Sequence, residues 1–436
     1  MNGVRPGDGV TRAGGAHGGA ESGDVTLADI VAARERIAGG VERTGCPYSP
    51  ALSRLTGCEV YVKLEYQQRT GSFKERGARN ALLQLSEAAR KGGVVAASAG
   101  NHALALAWHA RDLGIPVTVV MPKVAPLVKQ ARCRELGARV LIHGANIAEA
   151  KDLADKLVAD EGLSYVHGFN DAAIIAGAGT VGLEVLEEVP GLDAVVVPVG
   201  GGGLIAGVGI AVKALRPDVR VIGVEPKRAA SFARALADGA PHRITMEPTL
   251  ADGLAVPEVG KRAFELARPR TDKIVTVGEE TISLAILRLV EMQHGVVEGA
   301  GASALAALLT DQVPELRGKK VVLLLCGGNI DPLVLARVIE HSLAVDGRLV
   351  QFTATISDRP GGLAELAAAI ASTGASVQDI RHERIFGGPD ISRVRVACTI
   401  EVRDARHADE LQEALRSRGI TVHERVRPDR ERAPTA

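Results

Sequence analysis

Four consecutive glycines, Gly200, Gly201, Gly202 and Gly203, separate the apolar run Ala194-Val-Val-Val-Pro-Val199 from a helix-like stretch over 204–215. No other segment restricts the fold as much. A strand, a turn without Cβ atoms and a helix bring several backbone N–H groups onto one point. The helix aims the positive end of its dipole at the same place, so the arrangement suits a phosphate or another anion. No basic side chain lies within the turn, which leaves the holding to the backbone. A flexible tether is the competing reading, but tethers rarely stand between two apolar elements. Gly201-x-Gly203-x-x-Ala206, with Glu225 closing the next strand, also fits a dinucleotide fingerprint, and that alternative stays open at this point.

From about residue 27 to 330, short β-branched runs alternate with longer amphipathic segments. Residues 93–97, 116–121, 138–142, 219–224 and 320–325 read as buried strands, and 103–113 and 282–293 as helices. There are more units than one small sheet holds, which predicts an α/β architecture of two lobes with a cleft between them. After about Ser342 the pattern changes. A strand over 349–356, a turn at Asp358-Arg-Pro360-Gly361-Gly362, a helix over 363–372 and a strand over 377–385 come first. A turn at 387–390, a strand over 392–402, a helix over 405–417 and a strand over 420–422 follow. That order is βαββαβ, a ferredoxin-like unit. The expected division is a tail over 1–25, a two-lobed domain over 26–343 with the smaller lobe (about 66–165) inserted in the larger, a C-terminal module over 347–426 and a tail over 427–436.

Composition narrows the function. Lys plus Arg equals Asp plus Glu at 52 each, so neither nucleic acid nor an anionic membrane surface is favoured, and a small-molecule role fits better. The uncharged span 194–212 is long enough for a membrane helix, but Pro198 and the glycines make it a poor one. Cys46, Cys58, Cys133, Cys326 and Cys398 form no C-x-x-C pair, which argues against a disulfide framework or a zinc site. Residues 1–23 are glycine-rich without an apolar signal core, and the cytoplasm is the expected address.

The segment Lys63-Leu-Glu-Tyr-Gln-Gln-Arg-Thr-Gly-Ser-Phe73-Lys74 puts Lys74 after a strand, a small-residue turn and an aromatic, at the start of a helix. There the helix dipole favours the neutral amine that a Schiff base needs. Alone, a surface lysine is the simpler reading; next to a phosphate cradle it is not. Here the chain resembles the fold-type II pyridoxal-phosphate enzymes (tryptophan synthase beta-like), and within them the serine/threonine dehydratases. The resemblance rests on Ser72-Phe73-Lys74-x-Arg76-Gly77-Ala78, Ser98-Ala-Gly-Asn-His102, the Gly200–Gly203 loop and Cys326-Gly-Gly-Asn329, in the family's order, and it spans nearly all of 27–343.

The resemblance implies that Lys74 carries pyridoxal 5'-phosphate as a Schiff base and that Phe73 packs at its ring. It implies that Gly200 to Gly203 with Leu204 hold the phosphate, and that Asn101 meets the ring hydroxyl. The turn Ser98, Ala99, Gly100, Asn101 and His102 would take the substrate carboxylate, Ser98 by its hydroxyl as well. A helix cap is the plainer reading of Asn101-His102. Cys326 would face the pyridine nitrogen as a neutral thiol, which suits elimination over transamination, with the cofactor phosphate as proton donor to the leaving hydroxide; a buried structural thiol is the alternative. Racemases of the family carry a second serine where this chain has Ala99, which disfavours racemisation. Metal-stimulated relatives use an acid, a carbonyl and an Asp where this chain has Glu225, Ala229 and Ser231, so no tight metal site is expected. Glu298 could lie near the cofactor, although an acid serving the next helix N-terminus is simpler.

The C-terminal unit, with Asp358, Pro360, Gly361, Gly362 and Leu363 in its loop, resembles an ACT domain, which implies an amino-acid effector, control of catalysis and a homo-oligomer (dimer or tetramer). The implied activity is an ammonia-lyase: L-threonine to 2-oxobutanoate and ammonia, with L-serine slower. A serine- or 3-hydroxyaspartate-preferring lyase, a β-replacing synthase, a dinucleotide enzyme and a plain amino-acid sensor are the alternatives.

Overall fold

The computed structural model describes residues 25–383 and 392–426. The turn expected at 387–390 and both expected tails lie outside them, apart from Val25. Among the described residues thirteen strands follow in chain order: β1 (Glu59–Lys63), β2 (Val94–Ala97), β3 (Val117–Met121), β4 (Arg139–Ile142), β5 (Ser164–Tyr165), β6 (Ala194–Pro198), β7 (Arg220–Pro226), β8 (Lys273–Val277), β9 (Lys320–Leu324), β10 (Leu349–Ser357), β11 (Ser376–Glu383), β12 (Arg393–Glu401) and β13 (Thr421–Val426). They form three sheets.

The first sheet is parallel throughout, in the order β1-β9-β6-β7-β8. Its central strands β9, β6 and β7 are Val- and Leu-rich and buried, because helices cover both faces there, whereas the edge strands β1 and β8 are buried only in part. After β1 the chain leaves this sheet, builds a second parallel sheet in the order β4-β3-β2-β5, and returns at β6. Alternate residues of the second sheet serve different cores. Val94, Ala96, Val117, Val119 and Met121 pack on one side, and Val95 and Val120 on the other with Ala150, Ala154 and Leu157. The helix Ala172–Glu188 joins the lobes. Its glycines let neighbours approach closely: a Cβ on Gly177 would collide with the Arg76 backbone, and one on Gly179 would come within 2.9 Å of the Gly207 carbonyl.

The third sheet is antiparallel in the order β11-β12-β10-β13, a ferredoxin-like arrangement consistent with an ACT-like domain. Val350, Phe352, Ala354 and Ile356 pair in register with Ile400, Cys398, Val396 and Val394, and these residues face the helices Gly362–Ala371 and Ala405–Ser417. The other face carries Gln351, Thr353, Arg395 and Thr399, the alternation seen in the sequence. Ser342, read as the boundary, lies inside the helix Pro332–Val345, which packs on the helix Glu279–Gln293 through a buried Ser283–Ser342 hydroxyl pair at 2.6 Å. The junction is further held by Arg288–Asp346 at 2.6 Å and by an Arg348–Glu291 ion pair. No helix among the described residues is long and apolar enough to cross a membrane.

Candidate active site

Lys74 begins the helix Lys74–Leu83, and the turn before it pairs with a turn some 250 residues later. Phe73 N–H donates to the Cys326 carbonyl at 3.1 Å, Gly328 N–H to the Gly71 carbonyl at 2.9 Å, and Asn329 Nδ2 to the Thr70 carbonyl at 2.7 Å. This backbone pairing sets Lys74 beside Cys326. The Lys74 amine donates to the Gly168 carbonyl at 2.6 Å and stands 5.1 Å from the Phe73 ring centre. Burial pushes its pKa down to about 8, against the opposing pull of Cys326 and Glu298. Burial pushes the Cys326 thiol up, so it is neutral.

These groups line a cleft of about 540 Å³ that also contains the Ser98–His102 turn, residues 200–204 and Glu298. The four sequence motifs therefore meet at one place. Gly202 sits at φ 90° and leads into the helix Gly203–Leu215, which is buried along most of its length. Gly201 and Gly203 are required by packing as well: a Cβ on Gly201 would run into the Phe169 ring, and one on Gly203 would be 2.5 Å from the Phe169 carbonyl. The loop is held against Phe169, and no tether would be.

Gly100 is the residue before the helix Asn101–Asp112, and no side chain caps that helix, so the capping reading of Asn101-His102 fails. Asn101 instead donates to Glu298 at 2.6 Å and accepts from Asn329 at 2.9 Å. The His102 ring lies 3.1 Å from the Val166 carbonyl, beneath the segment whose Gly168 carbonyl receives Lys74. Burial and then Lys74 push His102 down to about 3 and His167 to about 4, so both rings are neutral next to the lysine. Glu298 stands at the N-terminus of the helix Gly299–Leu308, as the simpler reading has it, but its side chain makes no capping bond, and its carboxyl lines the cleft. Glu225 is buried and accepts from Phe232 N–H at 2.7 Å and Ala233 N–H at 2.8 Å, outside the cleft. It is therefore not available to a ribose, and the dinucleotide alternative loses its acid.

Arg76, part of the lysine motif, does not reach the cleft. Nε and one terminal nitrogen bind Glu65 at 2.8 and 2.7 Å, and both terminal nitrogens bind Glu184 at 2.6 and 2.8 Å, in a buried network that continues to Lys63. Sequence reasoning missed the wall formed by Tyr165, His167, Gly168 and Phe169, and the loop from Asp252 to Glu258. The signal for the first was faint: a polar and aromatic cluster between a two-residue strand and a long apolar helix. Asp358 to Leu363 lie together at the start of the helix Gly362–Ala371, with Gly361 at φ 103°, in the third sheet's module and far along the chain from the cleft residues.

The pyridoxal-phosphate dependent enzyme family matches residues 37–327. The chain is 44% identical over 398 residues to an L-threonine ammonia-lyase of Thermotoga maritima, covering 91% of this chain and 99% of that protein. It is 41% identical over 325 residues to a catabolic L-threonine dehydratase of Escherichia coli, covering 74% of this chain and 97% of that one. The structure of the processed form of threonine deaminase isoform 2 from Solanum lycopersicum is similar with a TM-score of 0.68 at 35% identity, over 72% of this chain and 91% of that one.

Proposed function

The chain belongs to the pyridoxal-phosphate dependent enzyme family, and from that premise we propose that it is an L-threonine ammonia-lyase, forming 2-oxobutanoate and ammonia, with L-serine a secondary substrate. The observation that carries the site assignment is the depressed Lys74 amine facing a glycine-built helix N-terminus across one cleft. The residues fit the cofactor. Lys74 would hold it, residues 200–204 would receive its phosphate at the start of the helix Gly203–Leu215, and the neutral Cys326 thiol would meet the ring nitrogen. Pyridoxal 5'-phosphate, when bound, supplies an electron-withdrawing ring that acidifies the substrate Cα–H.

The chain's own groups do the rest. With a pKa of about 8, roughly a tenth of Lys74 is neutral at pH 7, against roughly three in ten thousand for an unperturbed lysine. The neutral amine is placed to take the Cα proton of the bound substrate. The N–H groups around residues 98–102, at the start of the helix Asn101–Asp112, hold the substrate carboxylate, and the Ser98 hydroxyl adds a donor. The Cβ–O bond breaks, and the hydroxide departs as water with one proton, which the proton taken from Cα by Lys74 balances. The released enamine tautomerises and hydrolyses to the oxo acid and ammonia. Ala99 offers no hydroxyl to return a proton on the opposite face.

We assign the C-terminal module to regulation: an amino acid binding near residues 358–363, within a homo-oligomer. The Arg288, Glu291, Asp346 and Arg348 cluster supports this reading, because it couples the segment leading into the module's first strand to the helix Glu279–Gln293 of the larger lobe. The test of the activity is direct. Purified protein should absorb as a Schiff base, bleach with borohydride, and release 2-oxobutanoate from L-threonine faster than pyruvate from L-serine; a colourless protein that binds a nicotinamide would overturn the reading.

A further inference from the structure

One carboxyl in the cleft has no role in the reaction above. Glu298 is buried, and its backbone N–H donates to the Gly327 carbonyl at 3.0 Å. Its Oε1 accepts from Asn101 Nδ2 at 2.6 Å, Asn101 Oδ1 accepts from Asn329 Nδ2 at 2.9 Å, and Asn329 Oδ1 accepts from Arg132 at 3.0 Å. Each link dictates the next. A guanidinium only donates, so Asn329 turns its carbonyl to Arg132 and its NH2 to Asn101; Asn101 must then turn its carbonyl to Asn329 and its NH2 to Glu298. One hydrogen of the Asn101 NH2 is left for a ligand oxygen. Glycine reserves the space: a Cβ on Gly327 would run into the Glu298 carboxyl and lie 3.0 Å from Asn101 Nδ2.

The lock depends on charge. Ionised, Glu298 accepts the Asn101 NH2 in a charge-assisted bond; protonated, it keeps a carbonyl acceptor, but the bond loses its charge assistance and weakens. Burial, and then Asp252, push Glu298 up to about 7, against Lys129 and Asn101. The other charged or titratable groups facing it are Lys74 and Cys326.

Resting on the pyridoxal-phosphate reading, we propose that Glu298 is a positioning residue: its carboxylate fixes Asn101 as a hydrogen-bond donor to the cofactor's ring oxygen, and cofactor grip weakens when Glu298 takes up a proton. The probe is 4'-deoxypyridoxine 5'-phosphate, which keeps the ring hydroxyl and phosphate but has no aldehyde, so Lys74 chemistry does not enter. Its dissociation constant is measured on cofactor-free, full-length protein between about pH 6 and pH 8. Loss of one charge-assisted hydrogen bond predicts binding about tenfold weaker at the acid end in the parent, beyond the ligand's own titration. Glu298→Gln, neutral at every pH like the protonated acid, is expected to bind about tenfold more weakly than the parent at pH 8 and to show no step. Glu298→Ala is expected to bind about tenfold more weakly at pH 8 and likewise without the step. Glu225→Gln is the control, because Glu225 is also pushed up to about 7 but lies outside the cleft; the step should persist there. An unchanged step in Glu298→Gln, or its loss in Glu225→Gln, overturns the proposal while leaving the enzyme assignment intact. A parent that binds no probe at any pH overturns both.

Discussion

Replacing Arg76 by methionine is expected to destabilise the catalytic domain by about 3–5 kcal/mol, although Arg76 touches nothing in the cleft. Two cations, Lys63 and Arg76, and two carboxylates, Glu65 and Glu184, are buried together, with the partly exposed Glu188 at 3.1 Å from Lys63. Arg76 supplies four of the short contacts. Burial alone would raise Glu65, but the Arg76 charge outweighs it and holds Glu65 below the usual carboxylate range. Methionine fills the stem's volume and leaves two carboxylates against one lysine. One charge pair about 4 Å apart at an effective dielectric of about 20 is worth about 4 kcal/mol, the same size as the measured cost of orphaning a buried partner. The catalytic domain's melting temperature should fall by roughly 10 °C. Adding Glu65→Gln removes the excess charge yet keeps an acceptor for Thr44, so the double variant should recover about 1–3 kcal/mol. The pH dependence has a definite sign. In Arg76→Met the folded-state pKa of Glu65 rises above its unfolded value, so the folded protein binds more protons and stability should increase as pH falls from 7 towards 5. Urea unfolding across that range, for the parent and the single and double variants, is the assay. A loss under about 1 kcal/mol in the single variant, or a double variant worse than the single, would refute the charge-balance reasoning.

Lys74→Ala should abolish turnover and the borohydride-sensitive absorbance while leaving the far-ultraviolet circular dichroism unchanged, since the amine holds only the Gly168 carbonyl; retained activity with bound cofactor would sink the assignment. Ala99→Ser should raise D-serine formation relative to elimination, read by chiral assay, and no increase would mean the turn does not sit over the substrate's far face. A chain ending after Gly347, which keeps the helix Pro332–Val345 on its partner, should remain catalytically competent but lose its response to an amino-acid effector, with isoleucine and valine tried first. Rates against L-threonine, with and without each amino acid, decide the matter, and equal responses in full-length and shortened protein would exclude a regulatory module.

Local chemistry was legible in the sequence because it is written in short spacings. The β-branched runs, the period-two alternation of 349–356 and the glycines before the helix Gly203–Leu215 depend on backbone sterics and on which side of an element faces water, and both act between near neighbours. The strands expected at 116–121, 219–224 and 320–325 fall within a residue or two of β3, β7 and β9, and the lysine, Ser98, glycine and Cys326 motifs do meet in one cleft. Tertiary structure decided what spacing cannot carry. For Glu298 the sequence left a place near the cofactor and a place at a helix N-terminus open, and only the fold showed its carboxyl bonded to Asn101, 197 residues away; Arg76 looked like part of the reactive motif until Glu65 and Glu184 were found around it. The glycines at 201 and 203 suggested an anion cradle, and only the packing showed that Phe169 needs the same missing Cβ atoms. Whether a polar side chain caps, pairs or points into a cavity depends on which distant residues desolvate it, and that is fixed only when the lobes close around it.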